Sequence, residues 1–455
     1  MMHFDNSWTR DLPGTFLRLD PAVAPDPVLL VWNEVLARDL GLEVSRDEAT
    51  RWFSGAEVPA GAEPAALAYA GHQFGGFSPQ LGDGRAHLLG EVLGPDGRRW
   101  DIQLKGSGRT PFSRGGDGRA AVGPMLREYL ISEAMAALGV PTTRSLAVVA
   151  TGEAVWREEG RLPGAVLARV AASHIRVGTF EFYSARSEVD KLRAVMEYTI
   201  ARHYPGAEGA LGLFDAVVAG QARLVAQWMG LGFVHGVMNT DNMALSGETI
   251  DYGPCAFLDA YAPGTVFSSI DRRGRYAFAN QPGIMAWNLS RLAEALLPFI
   301  DSDEARAVDI ANARLDGIAG VFRAEWLAVM RRNLGLLGEE PGDEALIDDL
   351  LPAMVGRDWT LTFRRGFEGL GDWRARWLER VGEGWEARLA AANPAVIPRN
   401  HIVEAALQAA TVGDMEPFQA LLAAVRDPFG PEAGREGFVL PPPEGLAPYV
   451  TFCGT

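Results

Sequence analysis

Phe233-Val234-His235-Gly236-Val237-Met238-Asn239-Thr240-Asp241-Asn242, continuing through Ser246-Gly247-Glu248 to Thr249-Ile250-Asp251-Tyr252-Gly253, is the part of this chain richest in chemistry. It reads as a loop, then a tight hairpin, then an Asp-aromatic-Gly triplet. An Asn and an Asp on either side of a hairpin offer hard oxygen ligands to one Mg²⁺ or Mn²⁺. Asn242 and Asp251 are therefore candidate metal ligands, and Asp241 beside them stays free as a base. An isolated Asp-Asn pair more often caps a turn. The Asp251-Tyr252-Gly253 triplet, nine residues after Asn242, favours the metal.

The same division of labour is found in a kinase catalytic centre. Laid over the kinase loop H-R-D-x-x-x-x-N, His235 and Asn242 fall in register, but the position of the catalytic Asp holds Val237. Valine accepts no proton, so Asp241 is the nearest replacement base and the reaction geometry is expected to differ as well.

Upstream lies a lysine in a chain almost without them: of 42 basic residues only Lys105 and Lys191 are lysines. Where arginine is the default cation, a surviving lysine suggests a site that needs a compact ammonium. Lys105 ends the alternating run Arg99-Trp100-Asp101-Ile102-Gln103-Leu104, a short strand. Glycine-rich turns flank it: Gly82-Asp83-Gly84-Arg85 before, and Gly106-Ser107-Gly108-Arg109 through Arg114-Gly115-Gly116-Asp117-Gly118-Arg119 after. Glycines allow close backbone approach to phosphate oxygens and the interleaved arginines add charge, although most such turns only join strands. Neither matches the Walker pattern. A helix is expected over residues 124–138, with Leu126, Leu130, Ala134 and Leu138 on one stripe and Glu128 and Glu133 off it. Glu128 is spaced to hold Lys105 in place, or else is a solvated carboxylate. Arg169 and Arg176, seven residues apart, are placed to flank one anion.

At 455 residues the chain calls for two or more subdomains. Residues 1–65 mix proline with short helical pieces such as 27–40. Residues 66–175 read as strands and turns around one helix, and from about 188 onward the periodicity is helical, over 189–202, 213–231, 284–297 and 302–334. A strand-rich half followed by a helix-rich half implies two lobes with a ligand cleft between them. Trp326, Trp359, Trp373, Trp377 and Trp385 are expected in the core. The net charge of −16 argues against a nucleic-acid or anionic-membrane partner. No apolar run approaches a membrane span, and the first residues lack the pattern of a signal peptide. A cytoplasmic location is expected. Two cysteines, Cys255 and Cys453, exclude a disulfide framework.

Together with Tyr69-Ala70-Gly71-His72-Gln73-Phe74-Gly75, Gln103 through Arg114, and Asn393-Pro394 with Pro398-Arg399-Asn400-His401, these segments resemble the selenoprotein O (SelO, or YdiU) family of protein-kinase-like AMP transferases. The resemblance implies an α+β, protein-kinase-like bilobal fold. Residues 1–178 would hold an N-terminal extension and a strand-rich N-lobe, and residues 179–455 a helix-rich C-lobe with a C-terminal tail. It implies that ATP binds flipped, so that AMP passes to Ser, Thr or Tyr hydroxyls of protein substrates with loss of pyrophosphate. It also implies UMP transfer from UTP with Mn²⁺ as a second activity open to bacterial members. Carried onto this chain, Gly82, Gly84, Arg85, Lys105, Asp117, Gly118, Arg169, Arg176 and Asp251 would contact the nucleotide. Asn242 and Asp251 would bind Mg²⁺ or Mn²⁺, Asp241 would be the base, and Glu128 would pair with Lys105. Selenocysteine-containing relatives carry that residue close to the C-terminus, where this chain has Cys453. A reversible Cys255–Cys453 disulfide gating activity is the corresponding expectation. A conventional phosphotransferase and a non-catalytic nucleotide-binding scaffold are the competing readings.

Overall fold

The structure, a computed structural model, describes residues 2–158, 160–445 and 449–451. It is mixed α and β. One antiparallel sheet runs in the order Phe16–Arg18, Ala65–Leu67, Ala86–Leu93, Arg99–Lys105, Gly160–Ala171, Arg144–Arg157 and Val28–Trp32, with Ala120–Ala121 added beside Gly160–Ala171. Alternation along Arg99–Lys105 decides what each face carries. Ile102 and Leu104 enter an apolar core with Val166, Ala168 and Val170, under Leu36, Trp52 and Phe53 of helices Glu34–Asp39 and Arg46–Phe53. Asp101, Gln103 and Lys105 take the other face. Register sets Lys105 opposite Leu167 and Gln103 opposite Arg169, so Lys105 and Arg169 are diagonal neighbours on that polar face.

Helix Val122–Ala137 packs on Arg144–Arg157 and Gly160–Ala171. Its Glu128 and Glu133 are both buried rather than solvated: Glu128 pairs with Lys105 and Arg169 of the sheet, and Glu133 with Arg144 and with Arg426 at the end of Glu416–Val425, while helices Asn400–Thr411 and Glu416–Val425 pack their apolar faces on the same helix. The later periodic segments form helices Val189–His203, Gly209–Gly230, Gln281–Leu296 and Glu304–Asn333. Their core includes Trp326, Trp359, Trp373 and Trp377, with Trp385 packed against it.

Three expectations need correction. Gly209–Gly230 is long and apolar enough to cross a membrane by length and composition, against the expectation of no such run. Its Leu213, Val217 and Val225 are buried where it packs against Glu304–Asn333 and Gln281–Leu296, as in a core helix. The segment 27–40 is not one helical piece: Val28–Trp32 is a strand beside Arg144–Arg157, and only Glu34–Asp39 is helical. The Val-rich run suits a pleated sheet, and Asn33 starts the helix by accepting from the Leu36 amide at 3.2 Å. Third, the turn over 244–248 forms, with the Gly247 amide donating to Ala244 O at 3.1 Å, but its arms do not pair with each other. Ala244 bridges to Arg176 and Thr249 to Thr142, so the turn is satisfied by chain on either side of it.

Candidate active site

Lys105 projects from the end of its strand into a buried cluster of charge. Its Nζ lies 2.5 Å from Glu128 and also pairs with Asp251. Arg169 donates through Nη1 to Glu128 at 3.1 Å and Asp251 at 3.3 Å, and through Nη2 to Gln103 at 2.6 Å. Arg176 brings Nη1 within 3.6 Å of Asp251 and donates to the main-chain oxygen of Asp241 at 2.8 Å, its guanidinium resting 4.5 Å above the Tyr69 ring. Three cations thus converge on the Asp251 carboxylate. Burial pushes that carboxyl up, but Lys105, Arg169 and Arg176 outweigh it and hold the group well below the ordinary range. Asp251 sits at φ +67°, a left-handed backbone that costs a non-glycine residue energy and that accumulates at functional positions. The Nε atoms of Arg169 and Arg176 are buried without a partner, which leaves donors for an anion.

Asp241 lies across Arg176 from this cluster, in the short turn Thr240–Asn242. Burial pushes its carboxyl up to about 7, against the Arg176 charge. Its Oδ1 is buried without a hydrogen-bond partner. Next to it, Asn242 donates from Nδ2 to Val237 O at 3.1 Å, and among the described residues nothing donates to its Oδ1. That oxygen and the Asp251 carboxylate suit a hard cation completed by phosphate oxygens and water. Among the described residues no group of three His, Cys, Asp or Glu side chains offers a self-sufficient metal site. His235 is structural, its Nε2 on Ile250 O at 3.0 Å and its ring against Trp228.

The glycine-rich turns are arranged around the strand end. The Gly106 amide donates to Arg85 O at 2.7 Å and Thr110 Oγ1 to Asp83 O at 2.7 Å, which sets the loop of Gly82, Gly84 and Arg85 beside Lys105. Arg85 and Arg114 make no ion pair among the described residues, whereas Asp117 is held by Arg157 at 2.8 Å. Asp117 and Gly118 therefore sit in a loop outside the Asp251 cluster. Gly118 has φ +69°, and a Cβ there would stand 2.2 Å from the Gly108 carbonyl carbon, so only glycine fits.

Two contributors escaped the reading by spacing. The hairpin Gly71–Gln73 with Gly76–Ser78 closes over the Asp241 turn: the His72 amide donates to Thr240 Oγ1 at 2.7 Å, Gln73 Nε2 to Asp241 Oδ2 at 3.4 Å, and the Phe74 amide to Asn239 Oδ1 at 3.1 Å. Gly71 comes so close that a Cβ there would stand 2.6 Å from Asp241 Oδ1. Arg127, next to Glu128, donates to Gly253 O at 3.2 Å and Cys255 O at 2.8 Å and so fixes the backbone after Asp251. Burial pushes the Cys255 thiol up to about 12, and Cys453 lies outside the described residues.

The profile of the family described as "Protein adenylyltransferase SelO" matches residues 2–379. The chain belongs to the SelO family. Relatives of this SelO chain include proteins named "Protein nucleotidyltransferase YdiU". That of Cereibacter sphaeroides is 56% identical over 477 aligned positions, which cover 99% of both chains. Those of Rhizobium johnstonii and Sphingopyxis alaskensis are each 53% identical, covering 99% of this chain and 97% and 99% of the relatives. This SelO chain is accordingly an enzyme of the nucleotidyltransferase class.

Proposed function

We propose that this SelO chain is a protein adenylyltransferase that moves AMP from ATP to Ser, Thr or Tyr hydroxyls of cytoplasmic proteins and releases pyrophosphate. In this reading the sheet region to residue 178 and the helical region from 179 are the two lobes of a protein-kinase-like frame, with the nucleotide inverted between them. The observation that carries it is the convergence of Lys105, Arg169 and Arg176 on one carboxylate, with a second, proton-accepting carboxyl across Arg176. Cations so placed exchange Asp251 for phosphate oxygens when a nucleotide enters. Gly82, Gly84, Arg85, Asp117 and Gly118 belong to the loops that would take the rest of it.

Asp241 accepts the proton of the acceptor hydroxyl as its oxygen forms the new bond to the α-phosphorus. The bond from that phosphorus to the bridging oxygen of the β-phosphate breaks, and pyrophosphate leaves with the electron pair. Asn242 and Asp251 would hold Mg²⁺ or Mn²⁺, which supplies positive charge against the phosphate oxygens. UTP would use the same phosphate contacts. Residues 449–451 run beside the chain after Asp251, with Thr451 Oγ1 donating to Pro254 O at 3.1 Å, and this supports a redox contact between Cys453 and Cys255.

ATP labelled on either the α- or the γ-phosphate, incubated with the chain and acceptor proteins, tests the reading. Protein labelling from the α position alone, with pyrophosphate released, is expected. Labelling from the γ position alone indicates a conventional phosphotransferase, and ATP binding without labelling a scaffold.

A further inference from the structure

Beside the Asp241 turn, where Tyr276 bonds to Asn239, the surface changes character. The loop over 271–276 presents Arg272, Arg273 and Arg275, and among the described residues none of the three pairs with a carboxylate. In a chain of net charge −16, where most buried arginines are paired, three unpaired arginines within four residues form a local positive field. The loop is built to hold its shape. The buried Asp271 carboxylate accepts the amides of Arg275 at 2.9 Å and Tyr276 at 2.7 Å, and Tyr276 OH donates to Asn239 Oδ1 at 2.6 Å. The Arg275 guanidinium stacks 4.7 Å above the Trp287 ring, with its Nε buried and unpartnered.

The hairpin that covers Asp241 completes this surface. Phe74, at φ +51°, packs with its ring centroid 5.0 Å from that of Tyr276 at a tilt of 57°, yet is 37% exposed, and Phe77 is 43% exposed. A non-glycine residue held in the left-handed region to display an aromatic ring is an outlier that points to function. Gly75 at the hairpin tip is within reach of Arg275: a Cβ there would stand 3.5 Å from its Cζ. Exposed aromatic rings and the oriented Arg275 guanidinium, with Arg272 and Arg273 on the same loop, therefore stand on the hairpin and the loop that bond to the turn carrying the carboxyl proposed to take the acceptor proton.

We propose that the 71–78 hairpin and the 271–276 loop form the acceptor-binding platform, and that it selects hydroxyl-bearing protein segments flanked by Asp or Glu. This rests on the transferase reading above. The phenyl rings cover the acceptor side chain as it enters, while Arg273 and Arg275 receive carboxylates a few residues away, giving direction and on-rate by complementarity of charge.

Two sets of short peptides test it, each carrying Ser, Thr or Tyr, one with Asp flanks and one with Asn in the same places. With α-labelled ATP the Asp set is expected to be modified with kcat/KM about 10-fold higher or more. The advantage should close in Arg273→Gln/Arg275→Gln while ATP affinity and thermal stability stay as in the parent. Binding of the same fluorescent peptides to the ATP-analogue-loaded chain, read by anisotropy, reports on the platform even without transfer. Equal affinity for the two sets, or a preference that persists in the double variant, overturns the platform. Preferential binding of the Asp set without transfer to any acceptor keeps the platform and counts instead against the transferase reading.

Discussion

Lys105 shows how much a single residue type decides. Its Nζ is enclosed by Glu128 and Asp251, with Arg169 already occupying the flank. Lys191, the other lysine, pairs with Glu188 at a half-exposed surface, where arginine would serve as well. A planar guanidinium at position 105 has no room for its fork, so Lys105→Arg should lower nucleotidyl transfer by about 100-fold or more, comparable to losing one preorganised donor. Single-turnover labelling from α-labelled ATP measures this, and a variant with parental rates would reduce the scarcity of lysine to coincidence. Glu248 illustrates a different effect. Burial pushes its carboxyl up to about 7, although it accepts from Ser246 Oγ and the Ala172 amide, both at 2.9 Å. An unfolded glutamate titrates near 4.5, so the fold favours the protonated form. That contribution is complete below about 4.5 and is lost as pH rises through about 7. Glu248→Gln keeps an acceptor oxygen without the charge. It should melt higher than the parent at pH 8, by of order 1–3 °C, and equal it near pH 4; the same difference at both pH values would assign the effect to packing.

Among elements, the strand carrying Lys105 and the helix carrying Glu128 were legible because alternation and the 3.6-residue period survive in both. The Val28–Trp32 strand was not, since a short apolar run followed by a helix looks continuous in sequence and only the free edge of Arg144–Arg157 determines its state. The glycine-rich turns were legible as turns but not by purpose. Gly118 meets the Gly108 backbone, whereas Gly115, at φ +86°, has nothing within 4 Å of an added Cβ. Gly118→Ala should therefore cost about 3 kcal/mol or more, combining strain with displaced backbone, and Gly115→Ala only about 1–2 kcal/mol of left-handed strain. Chemical denaturation of the two variants compares them directly, and similar losses would mean that the 106–119 loop yields as a unit.

On the scale of the whole molecule, sequence order conceals what closes the site. Asp241 meets Gln73, 168 positions away, and the helix that carries Glu128 is covered by helices from the last quarter of the chain. No local period encodes either contact, which is why the motif residues could be named while their neighbours could not. The segment Pro398-Arg399-Asn400-His401 shows how this long-range closure is fastened. The Arg399 side chain is fully buried and donates to Asp259 at 2.7 Å, to Asp358 at 2.7 and 3.3 Å, and to Val439 O at 3.0 and 3.2 Å. It joins the chain eight residues after Asp251 to the start of helix Trp359–Arg364 and to the C-terminal region. Arg399→Met removes the cation and leaves two carboxylates facing each other around an apolar side chain, so a loss of about 3–5 kcal/mol is expected. Arg399→Lys should recover little, because one ammonium cannot serve acceptors set in a planar fork. Thermal melting of both variants, with and without ATP, measures the effect. Because the fastening also holds the segment after Asp251, ATP should stabilise the Arg399 variants less than the parent. If both variants melt within about 1 °C of the parent, the buried arginine is not what joins the C-terminal helices to the site, and the apolar packing of Asn400–Thr411 and Glu416–Val425 on the Glu128 helix must hold it alone.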